Sequence, residues 1–280
     1  MHHSCPDRSA PIGVFDSGVG GLTVLRALRA ALPAERFIYL GDTARLPYGA
    51  KSHESVLRYS IQAADFLVSR GVKYVVIACN TASAVAVEAL RERLAPTPVL
   101  GVIDPGAEAG CAASRSGHIA VIATEGAVQG GAYQRAISRL RPDAIVRAQA
   151  CSLFVALAEE GWTEGPIVEA VAHRYLHELM RSDPRLDTLL LGCTHFPVLS
   201  SALRAVIGPD IAIVDSAHTT AAALTAELLV RQLTAGAPSR GFAQLLATDA
   251  PERFARVGGR FLGIDVRPQD VEVVDLGRAR

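Results

Sequence analysis

A chain of 280 residues that is 50% hydrophobic and 20% charged, with 28 basic side chains balancing 28 acidic ones, holds enough apolar material for a sizeable core and is not disordered. The balance leaves no positive cluster for nucleic acid or anionic lipid, and no apolar run approaches the roughly 18 residues of a membrane helix. The polar start, Met1 to Ala10, lacks a signal-peptide core, so a cytoplasmic protein is expected, with no nucleic-acid or membrane partner.

Short apolar runs alternate with amphipathic stretches of helical length, the pattern of β-α units around largely parallel sheets. Strands are predicted at residues 12–15, 37–40, 74–78, 99–103, 119–123, 144–147, 188–191 and 211–214. The clearest helix follows Thr81, where Ala82, Val85, Ala86, Ala89 and Leu90 share one face. Two seams interrupt the alternation, at residues 95–98 and 208–210. A faint internal echo accompanies them: one strand ends in ACNTA (78–82) and another in GCTHFP (192–197), which suggests two halves related by pseudo-symmetry. In open α/β sheets ligands bind beyond the carboxyl ends of strands, so the residues just after apolar runs matter most.

The first such segment is VFDSGVGG (14–21). It falls short of a dinucleotide fingerprint, because Thr23 stands where the third glycine belongs. Asp16 and Ser17 could point into a crevice while the glycines admit a ligand; a plain tight turn with Asp16 as helix cap is the alternative. The second, GDTARLPYG (41–49), is broken by Gly and Pro and offers the Tyr48 phenol and the Gly49 amide, or is simply a surface loop. Lys51 and Lys73 are the only lysines; neither follows a strand end, which argues against pyridoxal phosphate and its lysine Schiff base.

The remaining two segments carry cysteines. The five, at 5, 79, 111, 151 and 193, are widely spaced and include no CxxC, so they read as free thiols rather than a disulfide framework or zinc clasp. Cys79 ends a strand, and Asn80 and Thr81 are natural caps of the next helix; a thiol there sits near a helix N-terminus, which should lower its pKa below the usual ~8.5. Cys193 repeats the arrangement, followed by Thr194, His195 and Pro197. Cys5, Cys111 and Cys151 read as small buried hydrophobes. His195 has no second ligand pair at metal spacing, so no metal is expected and the imidazole more plausibly tunes or relays a proton. His173 and His177, four apart, read as a solvated helix face. Two equivalent thiols suit removal of a proton from one face of a substrate and delivery to the other, a two-base isomerisation; a hydrolase instead needs one activated cysteine with a base and an oxyanion site.

Together GVFDSGVGGLTVL, GDTARLPYG, ACNTASA and LLLGCTHFPVL, in this order and spacing, resemble the glutamate racemases of the aspartate/glutamate racemase family, over essentially the whole chain after Ser9. The resemblance implies cofactor-independent interconversion of L- and D-glutamate, supplying D-glutamate for bacterial peptidoglycan. It assigns proton transfer to Cys79 and Cys193, assistance to Asp16 and His195, and a place behind the histidine to Glu159. It implies substrate contacts from Asp16, Ser17, Tyr48, Gly49, Asn80, Thr81, Thr194 and His195, with Thr124 a further candidate. The implied fold is two similar parallel-sheet α/β domains, residues 1–98 plus 213–280 and residues 99–212, with the active-site cleft between them. The family also commonly forms homodimers. Two positions depart from its pattern: Ala127 stands where Thr is usual and Ser152 where Pro is usual, which bears on substrate affinity. The alternatives are an aspartate racemase, a single-cysteine decarboxylase or amidohydrolase on a related scaffold, and a binding role toward another cellular protein.

Overall fold

The computed structural model describes residues 7–236 and 243–277; Cys5 lies outside them. Strand β1 (Ile12–Asp16) is buried at every position, as a parallel strand covered on both faces must be. A glycine turn leads from it into α1 (Leu22–Ala31), whose apolar face buries Leu22, Val24, Leu25 and Leu28. Next come β2 (Phe37–Gly41) and two 3-10 turns, Thr43–Arg45 and Tyr48–Ala50. Helix α2 (His53–Ser69) starts where Ser52 Oγ accepts from the Ser55 amide at 3.3 Å, a side-chain cap for an otherwise orphaned donor. The unit closes with β3 (Tyr74–Ile77), α3 (Asn80–Arg93) and β4 (Val99–Gly101).

A second series follows: α4 (Ile103–Ala113), β5 (His118–Ala123), α5 (Glu125–Gln129), α6 (Ala132–Leu140) and β6 (Ile145–Ala150). It continues through α7 (Leu153–Glu160), α8 (Pro166–Ser182), β7 (Thr188–Gly192), a 3-10 turn at Phe196–Leu199, α9 (Ser200–Ile207) and β8 (Ala212–Asp215). The chain then returns through α10 (Ser216–Val230), β9 (Ala243–Ala247), α11 (Pro251–Leu262) and β10 (Val271–Val273).

The strands form two sheets, one of six in the order β10-β9-β2-β1-β3-β4 and one of four in the order β6-β5-β7-β8. Every pairing is parallel. Both expected seams shift. Strand β4, assigned from sequence to the second unit, pairs with β3, Val75 opposite Val99; β8 pairs with β7, Thr188 opposite Ala212. The crossings therefore fall after Gly101 and at Asp215, where the Asp215 carboxylate caps α10 by accepting from the Ala217 and His218 amides. The predicted strand 99–103 overran because Ile103, although apolar, already begins α4, with Pro105 in its first turn, where the missing N–H costs nothing. Strands β9 and β10 were not predicted: AQLLA has no clean alternation, and three residues are too few to show a period.

Candidate active site

The carboxyl ends of β1, β3, β5 and β7 meet at a cavity of about 200 Å³ between the sheets. The first lobe contributes Ser17 from the turn after β1, Pro47, Tyr48, Gly49 and Ala50 from the 3-10 segment after β2, and Cys79, Asn80 and Thr81 after β3. The second contributes Thr124 and Glu125 after β5, Ser152 and Val155 beside β6, and Cys193, Thr194 and His195 after β7. Ten of the residues singled out from sequence thus line one cavity: Ser17, Tyr48, Gly49, Cys79, Asn80, Thr81, Thr124, Cys193, Thr194 and His195.

Asp16 and Glu159 stand behind the wall instead. Asp16 is buried, its Oδ2 accepting from the Gly18 amide at 2.8 Å while no described residue pairs with Oδ1. Burial pushes this carboxyl above its ordinary range, and the nearby His195 charge pulls the other way. It is not a helix cap, since α1 begins only at Leu22.

Cys79 caps α3, its sulfur accepting from the Ala82 amide at 3.5 Å and lying 3.7 Å from Ser17 Oγ. The expectation of a lowered thiol pKa fails here. Burial, and then the Asp16 carboxylate, push Cys79 up to about 12, and the Ala82 and Ser17 hydrogen bonds offset only part of that. Desolvation of a charge in a closed wall outweighs one helix terminus. Nor does Cys193 repeat the geometry of Cys79. After β7 the chain enters the 3-10 turn at Phe196–Leu199 rather than an α-helix, so its polarising neighbour is a side chain: His195 Nδ1 lies 3.8 Å from the sulfur.

The imidazole is the centre of a relay. Its Nε2 is 3.1 Å from Glu159 Oε1, and Glu159 Oε2 accepts from Arg253 on α11 at 2.6 Å. Burial works against the charged ring, but the hydrogen bonds to Cys193 and Glu159 and the nearby negative charges raise His195 to about 10. Although its partial burial works the other way, Glu159 is held below its ordinary range by His195 and Arg253. The two cysteine environments are therefore unlike: a neutral thiol beside a carboxylate on one lobe, a sulfur beside an imidazolium on the other.

The lobes also touch through backbone and hydroxyls. Thr23 Oγ1 donates to the Thr194 carbonyl at 2.8 Å, and Thr81 Oγ1 and Thr124 Oγ1 are 3.1 Å apart. Tyr48, read from sequence as a loop residue, is buried, and its hydroxyl donates to the wholly buried Asp42, which also receives Thr248 Oγ1 at 3.0 Å. Sequence reasoning missed Glu125, Val155, Pro47 and Ala50 as wall residues, and noted Ser152 only as a departure. Pro47 lies inside the recognised stretch 41–49, and Ala50, Glu125 and Ser152 adjoin Gly49, Thr124 and Cys151, so adjacency was the available signal for these; Val155, inside α7, gave none. Ala127 is buried in α5 and does not line the cavity. His173 and His177 are exposed and stacked, ring centroids 4.7 Å apart. Cys151 is buried and Cys111 half-buried, both free thiols.

Comparison with known proteins gives the family. Residues 12–224 match the model of the Asp/Glu/Hydantoin racemase family. The chain is 49% identical over 252 residues to a glutamate racemase of Geobacter metallireducens, covering 90% of this chain and 92% of that one. Among solved structures, the glutamate racemase of Francisella tularensis in complex with D-glutamate superposes with a TM-score of 0.88 at 35% identity, over 96% of this chain and 98% of that one. That of Thermus thermophilus in complex with β-chloro-D-alanine gives 0.87 at 43%, over 97% and 99%. With two parallel-sheet lobes closing strand-end cysteines on one cavity, and this extent of shared sequence, the chain belongs to the aspartate/glutamate/hydantoin racemase family.

Proposed function

We propose that the chain interconverts L- and D-glutamate without a cofactor, Cys79 and Cys193 acting as the two bases. One observation carries the reading: each cysteine follows a strand of a different sheet, and both line the same cavity. The 49% identity to a curated glutamate racemase, and the likeness to a structure of one holding D-glutamate, support glutamate as the substrate.

In one direction a thiolate takes the α-proton from one face, and its S–H bond forms as the C–H bond breaks. The thiol opposite gives its proton to the other face, leaving a thiolate there. The sulfurs end with exchanged protonation, and no electron or other proton enters or leaves. The His195 imidazolium stands 3.8 Å from the Cys193 sulfur, while Cys79 rests as a thiol. The carbanion between them needs donors arranged in advance in a cavity shielded from water, a role suited to the amides and hydroxyls of Ser17, Gly49, Asn80, Thr81, Thr124 and Thr194. The product D-glutamate would serve peptidoglycan synthesis. That use implies the cytoplasm, and a homodimer, common in the family, is the assembly to test in solution. No described helix is long and apolar enough to cross a membrane.

Solvent deuterium should enter the α-position of either glutamate enantiomer, and of aspartate far more slowly. Cys79→Ser and Cys193→Ser should each lower racemisation by at least about a hundredfold, since either change removes one of two required proton carriers. Full turnover by either variant would assign the cavity to single-nucleophile chemistry.

A further inference from the structure

Tyr133 lies on α6 of the second lobe, and its ring is fully buried. Its hydroxyl donates at 2.6 Å to Oδ1 of Asn80, a cavity-wall residue of the first lobe. Two glycines clear the ring's path: a Cβ at Gly192 would stand 2.9 Å from it, and one at Gly106 3.2 Å from both ring and hydroxyl oxygen. The ring has been given room to cross from one lobe to the other and meet a single amide.

Asn80 is itself 3% exposed, and none of the described residues accepts from its Nδ2. An asparagine can present either end of its amide, and the phenol decides between them. Burial raises the Tyr133 pKa, so the group stays a neutral donor. With Oδ1 toward Tyr133, one donor is left over, the Nδ2 group. With the amide turned over, the phenolic proton would lose its acceptor and Oδ1 would be left unpaired as well, two buried groups in place of one. The arrangement therefore leaves a buried donor, on a side chain that lines the cavity, without an acceptor among the described residues.

We propose that Tyr133 is a positioning residue for substrate: from the opposite lobe it fixes the Asn80 amide so that Nδ2 donates to a carboxylate oxygen of the bound amino acid. The inference rests on the racemase reading above. Because the bond spans the lobes, the donor is aimed only while the lobes hold this arrangement, so substrate recognition and lobe position share one hydrogen bond.

The test is a double-mutant cycle on the full chain, with KM and kcat measured for both glutamate enantiomers. Tyr133→Phe should raise KM about fivefold to tenfold for both and leave kcat within about twofold, the signature of lost binding rather than lost chemistry. In an Asn80→Ala background the same change should have almost no further effect, because the two residues act through one contact. Gly106→Ala keeps the phenol but crowds it in a helix that favours alanine, and should raise KM about twofold to threefold; it carries the test if Tyr133→Phe does not fold. Equal losses from Tyr133→Phe in the wild-type and Asn80→Ala backgrounds, an unchanged KM, or a loss confined to kcat would overturn the proposal. A wild-type protein that exchanges no α-proton of glutamate would overturn the racemase reading instead, and this one with it.

Discussion

His195 is bonded away from its cysteine as well as toward it, with Nε2 3.1 Å from Glu159 Oε1. Glu159 belongs to α7 of the second lobe, and its other oxygen receives Arg253 from α11 of the first. One carboxylate thus joins the lobes and fixes the charge of the ring beside Cys193. The orientation leaves Nδ1–H for the sulfur, the division of labour a histidine between two partners adopts.

Replacing that carboxylate should move the pH profile. In Glu159→Gln the amide no longer favours the imidazolium, which wild type holds to about 10, and the alkaline limb of kcat/KM should move down by about one to two units, the worth of a hydrogen bond to a charge. Rates of α-deuteration from pH 6 to 10 would show it. An alkaline limb that stays in place would mean that His195 does not set it.

The same group sets a stability slope. Its folded pKa, about 10, lies above the unfolded value of 6.5, so folded protein binds a proton that unfolded chain releases. The contribution is whole below pH 6.5 and lost as pH rises toward 10. Burial of Cys79, raised from 9.0 to about 12, subtracts further above pH 9. The thermal midpoint should fall across pH 6.5 to 10 in wild type and fall less steeply in Glu159→Gln. Parallel slopes would remove His195 from the account.

On the other lobe, Asp16 acts on Cys79 in the opposite sense. Its carboxylate helps push the thiol up to about 12, so at pH 8 Cys79 should be alkylated at least about a hundredfold more slowly than a free cysteine, in step with its thiolate fraction. Asp16→Asn should speed that alkylation and also slow racemisation. Peptide mass spectrometry after timed iodoacetamide treatment reads the first effect directly. Unchanged labelling would show that burial alone protects the thiol.

Much of this site could be read from the chain because parallel sheets put function at strand ends. Ser17, Cys79, Thr124 and Cys193 each follow an apolar run, and a strand's end is visible in sequence. What could not be read is what depends on distance across the cleft. The thiol pKa of Cys79 was misjudged because the helix terminus is local, whereas Asp16 and the enclosing wall come from elsewhere in the chain. Tyr133 gave no signal, since an aromatic on a helix face is ordinarily core and its partner lies 53 residues away. The seams moved for a similar reason: the three residues of β4 and the four of β8 declare their sheet only by which strand they pair with.

Gly20 gives the closest test of how the lobes meet. A Cβ there would stand 2.4 Å from Cε1 and Nδ1 of His195 and 2.4 Å from Thr194 Oγ1, so the turn after β1 approaches the turn after β7 as nearly as a bare backbone allows. Gly20→Ala must therefore displace the ring or part the lobes, and either change disturbs the nitrogen now 3.8 Å from Cys193. Because the added methyl leaves both lobe cores intact, the protein should still unfold in one cooperative transition. Misplacing a catalytic group by about 1 Å commonly costs about a hundredfold, and kcat/KM should fall by that order for both enantiomers. A variant with wild-type kinetics would show that the lobes separate freely at this contact and that His195 acts from some other position.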